Sequence, residues 1–377
     1  MKIIHFISGG DTGGAKTHVL TLLDNLRKNN IDVELLCIME GIFTQEAQEM
    51  GISVKVIPQQ KRYDMTVLGK IRDYINESGC DLVHCHGARA NYIAMFIRGK
   101  ISVPIITTLH SDYKLDFKGN LRKNLIYTPI NAVALRGFDH ILTVTQSFKD
   151  MLISRGFDKN KLHVIYNGYD FNKEKVRKST SKEDFYSRYV IKYDRRKMYV
   201  GIAARFQAVK GLDVFLEGAK LVTRANKNIE FIIVGDGDLE SEYKNYVFQN
   251  GLDDKVHFAG YIKVESLMND FYSSIDVNCL TSYSESFPYA LLEGASFKCP
   301  TVATAVGGIV EMIKDKETGI LVPSGDSRAF ADAILELYEN PEKRKTLGEA
   351  FYEDARVRFS VENMAKTHIE IYRNIIG

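Results

Sequence analysis

Two acids and two cations are the side chains whose type and spacing could do chemistry. Glu285 and Glu293 are separated by seven residues, with Phe287-Pro288 and the apolar run Tyr289-Ala290-Leu291-Leu292 between them. Proline is pre-organised for the first position of a helix, so Glu285 is expected in the loop before a helix and Glu293 inside it. The amides of Ser286, Phe287, Tyr289 and Ala290 would then face anything anionic in front of that helix. Arg205 and Lys210 lie in Ala204-Arg205-Phe206-Gln207-Ala208-Val209-Lys210-Gly211, between an apolar run and the start of an amphipathic stretch. Two cations at a strand end and helix start can hold a diphosphate without a metal. Taken alone, the acids also fit an acid/base couple, or a capped core helix on which they are incidental.

Other groups could do different chemistry. Gly10-Asp11-Thr12-Gly13-Gly14-Ala15-Lys16-Thr17 comes within one residue of a P-loop, with alanine where that loop needs glycine. Its glycines would let backbone amides approach a ligand closely. Cys80, His84, Cys85 and His86 suggest a metal site, but on a strand Cys85 projects away from His84 and His86, and no second ligand pair follows at zinc-finger spacing. His84 and His86 are expected near the C-terminal edge of a sheet instead, where open α/β folds bind ligands. His110, at the end of another apolar run, belongs to the same edge and is a candidate for the reacting centre.

The elements that must position these groups alternate. Strands are expected at Ile3-Ile7, Val33-Met39, Val54-Ile57, Asp81-His86, Ile105-Leu109, His140-Val144 and Leu162-Ile165, with helices near Ala15-Asn29, Phe43-Met50 and Met65-Ser78. Such alternation implies a parallel sheet covered on both faces. Asn167-Gly168 marks a turn out of this domain. Residues 170–197 are charged and poor in aliphatics, as an interdomain connection would be. A second series follows: Met198-Ala203, Phe231-Val234, Val256-Phe258, Val277-Leu280 and Thr301-Ala303. The segment Ser360-Ile376 has an apolar side and an N-capping serine, and is expected to cross back onto the first domain.

Composition bounds the class. At 377 residues, 45% apolar and 26% charged, the chain is long enough for two globular domains. Fifty basic and 48 acidic side chains, mixed along the chain, give a net charge of +2 and no general affinity for nucleic acid. Five cysteines without regular spacing fit a reducing cytoplasm, and no apolar run is long enough to span a bilayer. The segment Tyr113-Gly137 carries Lys114, Lys118, Arg122, Lys123 and Arg136 beside Leu121, Leu125, Ile126 and Leu135. It reads either as an amphipathic core helix with a solvated basic face or as a surface that touches an anionic acceptor or the inner face of a membrane.

Taken in order, these motifs resemble the family-4 retaining glycosyltransferases along nearly the whole chain. They are GGDTGG after the first strand, TLHS around His110, VIYNGYD at 164–170, ARFQAVKG at 204–211, VGDGDL at 234–239, HFAGYI at 257–262, ESFPYALLE at 285–293 and TGILVPSGD at 318–326. The resemblance implies a GT-B architecture of two Rossmann-like domains facing across a cleft. The first, 1–169 with the helix 360–377, would be the acceptor domain; 170–197 would be the linker; and 198–359 would hold a nucleotide diphosphate sugar, a uridine diphosphate sugar being the commonest case. It implies a hexosyl- or N-acetylhexosaminyltransferase that needs neither metal nor cofactor, and a carbohydrate or lipid-linked acceptor. Carried over residue by residue, Arg205 and Lys210 would hold the diphosphate, Glu285 the donor sugar and Glu293 the ribose hydroxyls. Gly13, Gly14 and Asn167 would lie near acceptor and phosphate, His110 near the transferring sugar, and Tyr261 and Ile262 near the base. The sequence departs from the family at Ala204 and Pro288, where glycine is common; the proline removes one N–H from the donor site. A P-loop nucleotide hydrolase and a non-catalytic nucleotide-sugar-binding protein are the alternatives.

Overall fold

A computed structural model of the chain describes every residue except 11–13, 60–63, 115–120 and 173–180, and describes the backbone alone at 14, 15, 121–127 and 265. The described residues divide into two compact units, Met1–Gly168 with Ser360–Gly377, and Tyr169–Phe359.

In the first unit seven strands form one parallel sheet: β1 (Lys2–Ile7), β2 (Asp32–Cys37), β3 (Ser53–Val56), β4 (Leu82–His86), β5 (Ile105–Leu109), β6 (His140–Thr143) and β7 (Leu162–Val164), in the order β3-β2-β1-β4-β5-β6-β7. Parallel strands covered by helices on both faces are apolar throughout, and β4 and β5 are buried at every position. Alternation along β4 sends Val83 and Cys85 to one face, where they pack with Ile4, Phe6, Ile71 and Ile93. Leu82 goes to the other face, where the helix Gly14–Lys28 and the C-terminal helix Val361–Ile376 supply Val19, Leu23, Met364 and Tyr372. Ser360 caps that last helix by accepting from Asn363 N at 3.2 Å. A Cβ on Gly168 would lie 2.7 Å from Val361 Cα, so glycine is what lets the turn after β7 press on the helix.

The second unit carries six parallel strands, β8 (Met198–Ala203), β9 (Ile229–Val234), β10 (Val256–Gly260), β11 (Val277–Leu280), β12 (Thr301–Thr304) and β13 (Ile320–Val322), in the order β10-β9-β8-β11-β12-β13. Its core is built from Val200, Ile202, Phe215, Phe231, Ile233, Val302 and Phe330. Residues 181–197 belong to this unit and are not a free connection. Phe185 and Tyr186 of the helix Lys182–Arg188 are buried with Tyr199, Phe271 and Tyr272, and Tyr186 OH donates to Ser274 O at 2.9 Å. Phe185 and Tyr186, joined by Ile191, bury that stretch against the unit.

Each sheet reverses strand order once, between β1 and β4 in the first unit and between β8 and β11 in the second. The crevice outside the C-terminal ends of two such strands is where doubly wound sheets take ligands. Among the described residues no helix is long and apolar enough to cross a membrane.

Candidate active site

In the second unit the loops that leave β8 and β11 are fastened to each other. Gly211 has φ +62°, and a Cβ there would stand 2.0 Å from Thr281 O, so only glycine fits. Thr281 Oγ1 donates to Gly211 O at 2.8 Å. This contact brings Lys210 to Glu285, with Nζ 2.7 Å from Oε1, and Ser282 Oγ donates to the same oxygen at 2.6 Å. The main chain at Glu285 is fixed as well. Gly308 N donates to its carbonyl at 3.2 Å, and Gly307, at φ +47°, passes so close that a Cβ would lie 1.9 Å from that oxygen. Arg205, also on the loop after β8, is exposed, and its guanidinium makes no hydrogen bond or ion pair among the described residues.

The helix expected after Glu285 runs Tyr289–Ser296, and Pro288 is its N-cap with φ −75° and ψ 116°. The proline therefore stands one position earlier than its preference for the first helical turn predicts, because its extended ψ belongs to the entering loop. Helix geometry leaves the amides of Tyr289 and Ala290 without an intrahelical acceptor. Ser286 and Ala290 are half-buried. Phe287 is buried edge-on against Phe359, with ring centroids 5.3 Å apart, so its side chain serves packing. Glu293, one turn into the helix, accepts from the buried Tyr272 OH at 2.7 Å. Burial, and then the nearby Glu293, hold the Tyr272 phenol well above its ordinary range, so it acts as a donor. The Tyr289 hydroxyl is buried without a partner among the described residues. Tyr261 is 60% exposed and offers a ring face, whereas Ile262 is buried with Ile232 and Val234 and can offer only backbone.

The first unit's edge has another character. His5, His18, His84, His86, His110 and His368 converge at and beneath it, with neighbouring ring centroids between 4.2 and 6.1 Å apart. Register explains part of this: parallel pairing sets His5 of β1 directly beside His84 of β4. His84 is anchored inside the sheet by Tyr372 OH at 2.6 Å and Thr108 Oγ1 at 2.7 Å, so it is a buried positioning group and does not reach the edge. His86 pairs with His5 through Nε2 and Nδ1 at 3.0 Å. Burial pulls all six imidazoles down, His110 and His368 to about 4 and His5 to about 3, so the cluster is neutral at physiological pH. His110, half-buried, stands 4.7 Å from His18 between ring centroids and has Nε2 without a partner. Asn167 is buried, and its side chain is a hydrogen-bonding neighbour of His18.

The structure thus brings Lys210 and Glu285 into contact and places Arg205, the Ser286–Ala290 backbone and Glu293 on the elements around them. His110 and Asn167 share the edge of the other unit. Gly14 opens the helix Gly14–Lys28, while Gly13 lies outside the described residues. Lys16, the lysine of the near P-loop, is paired with Glu46 at 2.7 Å. In the basic segment, Leu135 is core and Arg136 donates to Ala132 O and Arg155 O; Lys118 and the side chains of Leu121, Arg122, Lys123, Leu125 and Ile126 lie outside the described residues. Cys80 and Cys85 are buried away from the histidines and take no part in their cluster. Sequence reasoning missed His5, His18, His368, Ser282 and Tyr272. Only the three-residue spacing of Ser282 before Glu285 was there to be read.

Two parallel doubly wound units with a cation-bearing edge in the second define a GT-B glycosyltransferase. The Anabaena protein HepE, crystallised with UDP, superposes with a TM-score of 0.83 at 21% identity, over 99% of this chain and all of that one. The same protein has been solved with UDP-glucose. The model for glycosyltransferase family 4 matches residues 12–173 and that for glycosyl transferases group 1 matches 188–354, so the chain belongs to this glycosyltransferase family. An uncharacterised glycosyltransferase of Methanocaldococcus jannaschii is 26% identical over 96% of this chain and 95% of its own. The N-acetyl-alpha-D-glucosaminyl L-malate synthase of Bacillus anthracis is 25% identical over 87% and 84%. Family membership sets the P-loop hydrolase reading aside.

Proposed function

We propose that this glycosyltransferase moves a hexosyl or N-acetylhexosaminyl group, with retention at the anomeric carbon, from a uridine diphosphate sugar to a hydroxyl acceptor. The observation that carries the reading is the meeting of Lys210 and Glu285 at 2.7 Å beside the exposed Arg205, outside the C-terminal ends of β8 and β11. Two cations suit a diphosphate, and an acid tethered to one of them suits the sugar attached to it. Glu293, an acceptor-only group when ionised, suits the two ribose hydroxyls, and Tyr272 fixes its orientation. The exposed ring of Tyr261 suits stacking on the base.

No nucleophile and general-acid pair is needed. The diphosphate departs under stabilisation by Arg205 and Lys210, and its oxygen takes the proton of the incoming hydroxyl on the same face of the sugar. His110, neutral and half-buried, meets the transferring sugar as a hydrogen-bonding group and not as an imidazolium. Transfer on this reading requires no metal, and the acceptor is a lipid-linked or cell-surface polysaccharide intermediate met at the inner face of the membrane, supported by the basic composition of Tyr113–Gly137.

The test is incubation with a panel of nucleotide sugars in the presence of chelator, following slow donor hydrolysis and, with an acceptor, the anomeric configuration of the product. Hydrolysis of a uridine diphosphate sugar and a product of unchanged configuration are expected. No turnover of any donor, an inverted product, or activity restored only by a divalent ion would each contradict the reading.

A further inference from the structure

The histidine cluster of the first unit holds more unpaired nitrogen than a polar core requires. Buried polar atoms are nearly always satisfied. Yet His86 Nδ1 and His110 Nε2 have no partner among the described residues, and neither nitrogen of His18 closes a well-formed hydrogen bond, although the side chain of Asn167 faces it as a hydrogen-bonding group. One nitrogen from each of these three rings lies within 4.8 Å of the other two. They come from three separate elements: His18 from the helix after β1, His86 from the end of β4, and His110 from the residue after β5.

A second trio, His5, His84 and His86, is equally compact, but both nitrogens of His84 are occupied by Tyr372 and Thr108. In the first trio the one internal bond helps. If His86 Nε2 donates its hydrogen to His5 Nδ1, then His86 Nδ1 carries a bare lone pair facing the other two rings. A metal-binding histidine is ordinarily oriented in this way, its second nitrogen giving a hydrogen bond to a neighbour. His110 as a residue is half-buried, although its unpaired Nε2 is itself buried.

We propose that His18, His86 and His110 form a site for a divalent transition-metal ion of the zinc class, and that an ion held there silences transfer by taking the His110 nitrogen. Three imidazoles with one open position make a recognised zinc donor set, at Zn–N distances of about 2.0–2.1 Å that need only a small closing of the rings. The ion site itself is independent of the transferase reading; only its inhibitory effect rests on that reading.

The experiment uses the full chain washed free of metal by chelator. One equivalent of Co²⁺ should give the visible absorption of a four-coordinate nitrogen site, displaced by one equivalent of Zn²⁺, with matching one-to-one heat in calorimetry. His18→Gln keeps a side chain able to hydrogen-bond Asn167, and should lower Zn²⁺ affinity at least a hundredfold with an unchanged circular dichroism spectrum. The double variant His140→Gln/His163→Gln removes the other histidine pair, whose nitrogens are 3.0 Å apart, and should bind as the wild type does. No cobalt spectrum in the wild type, or binding lost with His140 and His163 but kept without His18, overturns the site. If Zn²⁺ binds and the transfer rate, relative to each protein's own metal-free rate, falls no further in the wild type than in His18→Gln, the inhibitory effect is overturned.

Discussion

The two sheet edges use the same strand reversal for opposite electrostatics. Around β8 and β11 the loops present Arg205, Lys210, Glu285 and Glu293, charged groups whose partners are close or which stand exposed to solvent. Around β1 and β4 the first unit presents imidazoles kept neutral by burial, several with nitrogens unpaired. A doubly wound half-fold supplies a crevice and says nothing about its charge. In the proposed division of labour the charged edge takes the diphosphate, and the neutral edge receives the acceptor hydroxyl.

Breaking the charged edge should have the largest effect. Lys210→Ala removes the cation that offsets the leaving diphosphate, and initial transfer rates should fall by about two to three orders of magnitude, as when a preorganised donor is lost; a near-normal rate would separate Lys210 from the chemistry. Glu293→Gln keeps the shape but loses a charged acceptor. Donor affinity by calorimetry should weaken by about ten- to a hundredfold, the range of a hydrogen bond to a charged group, with kcat less affected. Tyr272→Phe leaves Glu293 in place without its 2.7 Å bond. A rise in donor KM of several-fold, following about 1 kcal/mol for one hydrogen bond, is expected with kcat unchanged; an effect as large as that of Glu293→Gln would mean that Tyr272 does more than orient the acid.

The neutral edge is sharpened by pH. In metal-free protein His5, His18, His84, His86, His110 and His368 have depressed folded values against about 6.5 unfolded. Above pH 6.5 neither state is protonated and they contribute no pH dependence. Below it the unfolded chain binds protons that the folded unit refuses, so stability falls as pH drops from about 6.5 toward 4. Proteolysis mapped by mass spectrometry should show cuts in Met1–Gly168 rising in that window ahead of cuts in Tyr169–Phe359. Equal sensitivity of the two units would erase the contrast.

Strand positions and the parallel alternation were legible because β-branched runs ending in glycine or polar loops repeat along the chain, and β5, β8 and β11 begin and end where the pattern says. Arg205, Lys210, Glu285 and Glu293 were readable because they sit at the ends of those elements. The histidine cluster was not. His5 meets His84 only through the register of two parallel strands, and His368 and Tyr372 arrive from the last helix, a separation of 288 residues for the His84–Tyr372 bond. Periodicity reports which face a residue is on and is silent about what stands opposite. Within the 170–197 stretch few aliphatics suggested a connection, whereas the described residues 181–197 are packed into the second unit by Phe185 and Tyr186 against Tyr199.

The central claim is that the second unit's charged edge holds the donor. Calorimetric titration of the full chain and of its Arg205→Ala/Lys210→Ala variant with UDP tests it most directly. The account predicts saturable one-to-one binding in the wild type and a loss of affinity of a hundredfold or more in the variant, whose unchanged circular dichroism would show that it is folded. Equal affinity in the two proteins, or no binding of UDP to the wild type, would contradict it.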